Sequence, residues 1–189
     1  MNAPLDLTMD KATFLRWVQK QQGRWELVGG RPVLQDSATR DHGTISKNFE
    51  RALDRRLNLD LWSVWRGEIS VEVGDETRAP DVMVEPAGLP GKLNATDQPV
   101  LLVEVLSPSS GHNDFHAKPN LYFQLPSLEA YIVASQDTPC LWTWQRSQGP
   151  VRTFPDAPAV IDDAAGIIQL VHLDVTIPMA EIYRGFIRD

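Results

Sequence analysis

The sequence lacks the features that mark secreted, membrane-spanning or disulfide-bonded proteins. Among its 189 residues there is one cysteine, Cys140, which excludes an internal disulfide and a zinc site built from several cysteines. No segment approaches the roughly 20 apolar residues that a helix needs to span a bilayer. Residues 1–10 contain two acids, no Lys or Arg and no apolar core, so they do not resemble a secretory signal. We therefore expect a cytoplasmic protein with no membrane contact.

Positive charge is also in short supply. The chain has 18 Lys and Arg against 25 Asp and Glu, which gives a formal net charge of -7. This balance disfavours nucleic-acid binding through bulk charge, because phosphate contacts are made by Lys and Arg. It does not exclude a local basic strip, and carboxylates that bind a metal would themselves make a protein acidic.

What remains is the composition of an ordinary globular chain, with 42% hydrophobic and 23% charged residues. The length favours one domain that covers residues 1–189. Apolar spacing predicts a first helix over 10–22, a hairpin over 24–35 and a long helix over 41–59. Strand patterns fill most of the middle, including 151–154, and Pro178 begins a C-terminal helix. These patterns predict an α/β (α+β) fold with a mixed central sheet and helices at both ends of the chain.

Two acidic residues stand out from this pattern. Glu104 lies inside an aliphatic run, Val100–Leu106, that reads as a buried central strand. A buried carboxylate costs several kcal/mol unless it pairs, takes up a proton or binds a metal. Asp81 follows Pro80 at the start of another short strand. The simpler interpretations are an exposed or ion-paired Glu104 and an ordinary Pro-Asp turn.

Two carboxylates on adjacent strands suit a hard cation such as Mg²⁺, which binds one or two protein carboxylates and leaves its other positions to water and phosphate. A cation held in this way activates water and neutralises charge at a phosphoryl group. Lys118, which follows the strand of Glu104, is a candidate for a nearby point charge, although a solvated surface lysine is an equally simple interpretation.

These residues resemble a known family. Pro80-Asp81, followed by Glu104 in the segment VEVLSPS, looks like the signature of the PD-(D/E)xK nucleases. The chain is most similar to the small bacterial restriction-endonuclease-like family of that superfamily. Further matches are the hairpin segment RWELVGGRPV, His42 at the start of the long helix, the spacing of Asp114, Lys118 and Tyr122, and the closing VTIP…IY. The resemblance covers residues 25–183, and the order and spacing of its motifs carry more weight than any single motif.

The resemblance implies a restriction-endonuclease-like mixed sheet and an endonuclease that hydrolyses phosphodiester bonds, with DNA as its partner and Mg²⁺ or Mn²⁺ as its cofactor. Asp81 and Glu104 would bind the metal, together with the backbone carbonyl of Val105. Lys118 would complete the catalytic set, while Glu26 and His42 would support the site. The basic residues of the long helix would hold the DNA backbone; they are Lys47, Arg51, Arg55 and Arg56.

The chain departs from the superfamily at one catalytic position. Leu106 occupies the place two residues after Glu104 where the signature has its lysine, and Lys118 takes that role from the following segment. Because Pro119 disfavours helical geometry in the residue before it, we expect the helix to begin at Pro119 with Lys118 as its cap.

Two other functional interpretations stay open. The first is a nuclease-fold protein without activity that serves as a binding or assembly module, which the acidic net charge favours. The second is a two-carboxylate hydrolase of another class, such as a glycosidase, which would be independent of metal and would carry one carboxylate with a raised pKa. Exposed sheet edges also lead us to expect a homodimer.

Overall fold

The computed structural model of the chain describes residues 7–92, 94–106 and 113–186, and only the backbone of residues 113 and 114. The first half contains α1 (Lys11–Val18), β1 (Trp25–Val28), β2 (Arg31–Leu34), α2 (Arg40–Asp54), β3 (Trp62–Trp65), β4 (Ser70–Val73), β5 (Glu76–Arg78) and β6 (Val82–Pro86). The second half contains β7 (Ala95–Thr96), β8 (Leu101–Val105), a π-helical turn (Asn113–Ala117), α3 (Lys118–Tyr122), β9 (Ala130–Ala134), β10 (Leu141–Gln145), β11 (Ala159–Ile161), β12 (Ile167–Leu170), a short 3-10 turn (Val171–Leu173), β13 (Val175–Pro178) and α4 (Met179–Ile182). No helix within these described ranges is long and apolar enough to cross a membrane.

The strands form three sheets. The largest has six strands in the order β11-β10-β9-β8-β6-β3, and within it β8 and β9 run parallel while the other neighbours are antiparallel. A five-stranded sheet has the order β2-β1-β5-β4-β7, and β12 pairs with β13 as a separate ribbon. The mixed sheet with helices confirms the predicted fold class. Pro32 lies in β2 at the edge of the five-stranded sheet, where a missing N–H is tolerated.

The six-stranded sheet buries both of its faces, which explains why its central strands are continuously apolar. On one face, Val103 and Val105 pack with Ile45 and Phe49 of α2. On the other face, Leu102 packs with aromatic side chains from α3, β9 and β10, among them Tyr122, Tyr131 and Trp144. Because side chains alternate along a strand, Glu104 points to the same face as Leu102 and away from α2.

Several local predictions differ from the structure. The first helix ends at Val18 rather than at residue 22, because the chain closes into a turn in which the Lys20 N–H donates to the Trp17 carbonyl at 3.1 Å. The long helix ends at Asp54 rather than at residue 59, because the chain tightens into a turn and the Asn58 side chain accepts the Asp60 N–H at 3.0 Å. No strand forms over 151–154, where the Ser147 side chain accepts the Thr153 N–H at 3.1 Å and closes a loop. Pro178 ends β13 and precedes α4 rather than lying inside it.

Two glycines provide opposite tests of this packing. A Cβ at Gly166 would lie 2.5 Å from Cγ2 of Ile161 and 2.8 Å from the Asp163 carbonyl oxygen, whereas a Cβ at Gly43 in α2 would meet nothing within 4 Å. We expect Gly166→Ala to lower the free energy of unfolding by about 2 kcal/mol through overpacking. Gly43→Ala should raise it by up to about 1 kcal/mol through helix propensity. Urea denaturation of both variants checks the signs, and equal effects would contradict the packing described.

Candidate active site

The candidate site lies where the chain crosses from the five-stranded sheet to the six-stranded sheet. Residues 79–81 connect the end of β5 to the start of β6, and all three are buried. Glu26 of β1 fixes this connection, because its Oε1 accepts the Ala79 N–H at 3.1 Å. Its other oxygen pairs with Arg78 at 3.3 Å. The hairpin therefore positions the segment that carries Asp81.

Asp81 lies directly before β6 and is 6% exposed. Its Oδ1 accepts a hydrogen bond from Nη1 of Arg24 at 2.8 Å. Its Oδ2 lies 2.9 Å from Nε2 of His42 and accepts the backbone N–H of Val105 at 2.8 Å. The last bond brings the Asp81 carboxylate to the residue that follows Glu104, so the two predicted metal ligands belong to neighbouring positions at one end of the sheet.

The ionised form of Asp81 is strongly favoured despite its burial. Burial alone would raise its pKa, but the hydrogen bond to His42, the charge of Arg24 and the Val105 N–H together hold the pKa well below its usual range. Asp81 is therefore a carboxylate at any physiological pH. As such it cannot supply the raised pKa that a glycosidase-type acid requires.

Glu104 is the second buried carboxylate, with an exposed fraction of 3%. Its Oε1 accepts the Tyr122 hydroxyl at 3.0 Å and lies 2.9 Å from Nζ of Lys118. Burial, reinforced by the charge of Glu104, raises the pKa of Tyr122 well above its usual value. The phenol therefore keeps its proton and donates a hydrogen bond to the carboxylate. Both partners come from α3, so this short helix forms the side of the site next to Glu104.

Lys118 is correctly expected to come from the helix after β8, but its predicted position as a cap is wrong. The α-helix begins at Lys118 and continues directly from the π-helical turn Asn113–Ala117, so the lysine has helical neighbours on both sides. Pro119 falls within the first turn of α3, where a helix tolerates proline. The preceding Ser-Pro-Ser motif and the side chain of Asp114 lie outside the described part of the chain.

His42 reaches the site from the first turn of α2. Thr39 caps this helix by accepting the His42 backbone N–H at 3.1 Å, and its own hydroxyl donates to Oε1 of Gln136 at 2.6 Å. Because Gln136 follows β9, the start of the helix is tied to the end of the large sheet. The His42 ring faces a carboxylate that can only accept, so Nε2 carries the proton in this contact.

Arg24 is a member of the site that sequence analysis missed. Besides its bond to Asp81, its Nη2 donates to the carbonyls of Ala79 at 2.6 Å and Pro80 at 3.0 Å. Burial opposes its charge, but the attraction of Asp81 outweighs that effect and raises the pKa of Arg24. The charges of Glu104 and Glu26 raise the same pKa further. A signal was present in the sequence, since Arg24 and Glu26 are two residues apart and so share a strand face.

The oxygen atoms at the site are of the type that binds a hard divalent cation. Asp81 and Glu104 offer carboxylate oxygens and Val105 offers a backbone carbonyl, which is the chemistry that Mg²⁺ and Mn²⁺ use. Within residues 7–92, 94–106 and 113–186, no three His, Cys, Asp or Glu side chains are grouped as a metal site. Two protein carboxylates are nevertheless enough for Mg²⁺, which retains water in its remaining positions.

The basic residues of the long helix are used in two different ways. Arg55 and Arg56 both form ion pairs with Glu181 of α4, so they fasten α4 to the end of α2. Lys47 and Arg51 lie on the exposed side of the helix. The predicted basic strip is therefore shorter than four residues.

The low pKa of Asp81 makes a prediction about acid stability. A carboxylate with a lowered pKa stabilises the folded state above its unfolded pKa of about 3.9, and this contribution is lost as the pH falls toward the folded pKa. Asp81→Asn should cost about 3 kcal/mol near neutral pH, because it leaves buried partners uncompensated. The difference from wild type should shrink below about pH 4. Urea denaturation across this range checks it, with the exposed Asp75→Asn as control; a difference independent of pH would contradict the assignment.

The sequence of the chain is similar to those of known proteins. Two uncharacterized proteins of Synechocystis sp., slr1290 and sll1609, are 25% and 24% identical to the chain over 126 and 130 residues. These matches span 65% and 66% of this chain, and 66% and 73% of the two relatives, so the chain spans about two thirds of their length.

A solved structure shows the same fold. The crystal structure of a putative nuclease belonging to DUF820 from Anabaena variabilis superposes with a TM-score of 0.72. The superposition covers 92% of this chain and 98% of that one at 12% sequence identity. The fold is therefore restriction-endonuclease-like. Residues 12–166 also match the model of the Uma2 family, which is described as putative restriction endonuclease. Since this match spans most of the chain, the protein belongs to the Uma2 family.

Proposed function

We propose that this protein is an endonuclease that hydrolyses phosphodiester bonds in DNA with Mg²⁺ or Mn²⁺. The observation that carries the proposal is the 2.8 Å hydrogen bond from the Val105 N–H to Asp81, which holds one buried carboxylate against the strand end that bears the other. Family membership supports nuclease-like chemistry and makes a phosphodiester the natural substrate.

In this proposal, Asp81, Glu104 and the carbonyl of Val105 would hold the cation. When bound, it supplies an activated water and neutralises charge on the phosphate. The work of the protein is to keep the ligands in place. Asp81 is held by His42 and the Val105 N–H, and Glu104 is held by the Tyr122 hydroxyl. Glu26 acts indirectly: its carboxylate accepts the Ala79 N–H and so fixes the backbone two residues before Asp81.

Lys118 supplies the positive charge that the superfamily signature places on the strand. Its Nζ lies 2.9 Å from Glu104, and its side chain is 12% exposed, so the ammonium lies in a partly desolvated position. A charge in such a place stabilises a phosphate more strongly than the same charge in bulk water. We assign Lys118 the role of orienting the attacking water and the phosphate beside Glu104.

The DNA backbone would contact the exposed side of α2 through Lys47 and Arg51. The homodimer, the cytoplasmic location and the single domain over 1–189 remain predictions. An exposed strand edge at β11 is compatible with a homodimer.

One observation favours a second candidate, a nuclease-fold module without activity. Both oxygens of Asp81 and Oε1 of Glu104 already have protein partners, so these atoms are compensated without a cation. The two candidates differ in whether a divalent ion enters the site, and this is measurable without knowing the biological substrate.

Metal binding tests the proposal. We expect Mn²⁺ and Mg²⁺ to bind the wild-type chain in calorimetry and to raise its melting temperature, because binding to the folded state stabilises it. Glu104→Gln should abolish both effects, while Asp75→Asn, which removes one exposed charge, should retain them. Cleavage of supercoiled, linear and single-stranded DNA should follow the same pattern. Binding that survives Glu104→Gln would contradict the assigned ligand, and absence of both binding and cleavage would favour the inactive module.

Lys118 is tested separately from the metal ligands. Lys118→Gln should leave Mn²⁺ binding within a few-fold of wild type but lower the cleavage rate about 100-fold, the usual loss for one electrostatic donor to a transition state. Single-turnover cleavage at saturating metal measures this. Wild-type rates in the variant would remove Lys118 from the mechanism, and loss of metal binding would make it a structural partner of Glu104 instead.

A further inference from the structure

Arg24 pairs directly with Asp81, one of the two carboxylates proposed to bind the cation. Its Nη1 lies 2.8 Å from Oδ1 of Asp81, the distance of a charge-assisted hydrogen bond. The guanidinium also senses the charges of Glu104 and Glu26, so it lies within the field of every carboxylate of the site. A divalent ion shared by Asp81 and Glu104 would enter this same region of negative potential.

Each carboxylate of the site has a cationic partner without a metal. Asp81 pairs with Arg24, Glu104 with Lys118 and Glu26 with Arg78, which also pairs with Glu76. A divalent cation added beside Asp81 would be repelled by the neighbouring Arg24 guanidinium unless that guanidinium moves. Metal entry and the Arg24–Asp81 pair are therefore opposed.

Of these cations, Arg24 is the best placed to leave. Its side chain is 36% exposed, against 11% for Arg78 and 12% for Lys118. It lies outside the regular strand, one residue before β1 begins. Its Nε is buried without a hydrogen-bond partner in the described part of the chain, as is that of Arg78, so exposure and position are what distinguish Arg24.

We propose that Arg24 is a built-in counter-ion that neutralises Asp81 in the metal-free protein and competes with the divalent cation for that carboxylate. The inference rests on the proposed function, since it requires a cation at Asp81 and Glu104. Arg24 holds the empty site together by joining Asp81 to the carbonyls of residues 79 and 80. It leaves Asp81 when the metal binds, which lowers the apparent metal affinity of the wild-type protein by the free energy of the pair it breaks.

The test is calorimetric titration of Mn²⁺ alone into the full chain. Arg24→Gln should bind Mn²⁺ about tenfold more tightly than wild type, equivalent to about 1.4 kcal/mol for removing one competing charge. The matched control is Arg31→Gln, which removes the same charge from an exposed position in the same hairpin. It should change the affinity by less than about twofold, because exposed charges are screened.

A second variant keeps the test decisive if Arg24→Gln does not fold. Arg24→Lys retains the positive charge but lacks the planar guanidinium that bonds both Asp81 and the carbonyls of residues 79 and 80. It should therefore bind Mn²⁺ with an affinity between those of wild type and Arg24→Gln. Affinities no tighter than wild type in the folded Arg24 variants, with binding still abolished by Glu104→Gln, would overturn the counter-ion role alone. Absence of Mn²⁺ binding in every protein would overturn the proposed function, and the counter-ion role with it.

Discussion

The site depends on one constraint, which is that three carboxylates are buried together and each must remain compensated. Asp81, Glu104 and Glu26 are between 3% and 6% exposed. At that depth an unpaired charge is too costly to keep, and a protonated acid would not bind a hard cation. The structure meets the constraint with donors from several elements: two guanidinium groups, an imidazole, a phenol, an ammonium and backbone N–H groups. The low pKa of Asp81 is the direct consequence.

The fold explains how these partners reach one place. The crossing from β5 to β6 brings Asp81 to the end of β8, and Glu26 in β1 fixes that crossing through the Ala79 N–H. The first turn of α2 contributes His42, and α3 contributes Lys118 and Tyr122. None of these elements carries the site alone.

The sequence was most informative where a residue conflicted with its surroundings. Glu104 in an aliphatic strand could be identified from pattern alone, and the Pro-Asp pair and the order of the motifs pointed to Asp81. The positions of the hairpin and the central strand were also readable, because their apolar periodicity is strong. Arg24 was missed because an arginine before a strand is ordinary in sequence, and its role arises only from a contact 57 residues away. The helical start at Lys118 was missed because the π-helical turn before it has no periodic signal.

The central claim is that Asp81 and Glu104 share one divalent cation. The most direct test is to soak a crystal of the protein in Mn²⁺ and measure anomalous scattering, because the anomalous signal of Mn²⁺ gives the position of the ion. The account predicts one anomalous peak bound by both carboxylates at about 2.0–2.2 Å, a distance typical of such hard ions, with the Arg24 guanidinium withdrawn from Asp81. A peak elsewhere, or no peak while Arg24 remains bound to Asp81, would contradict it.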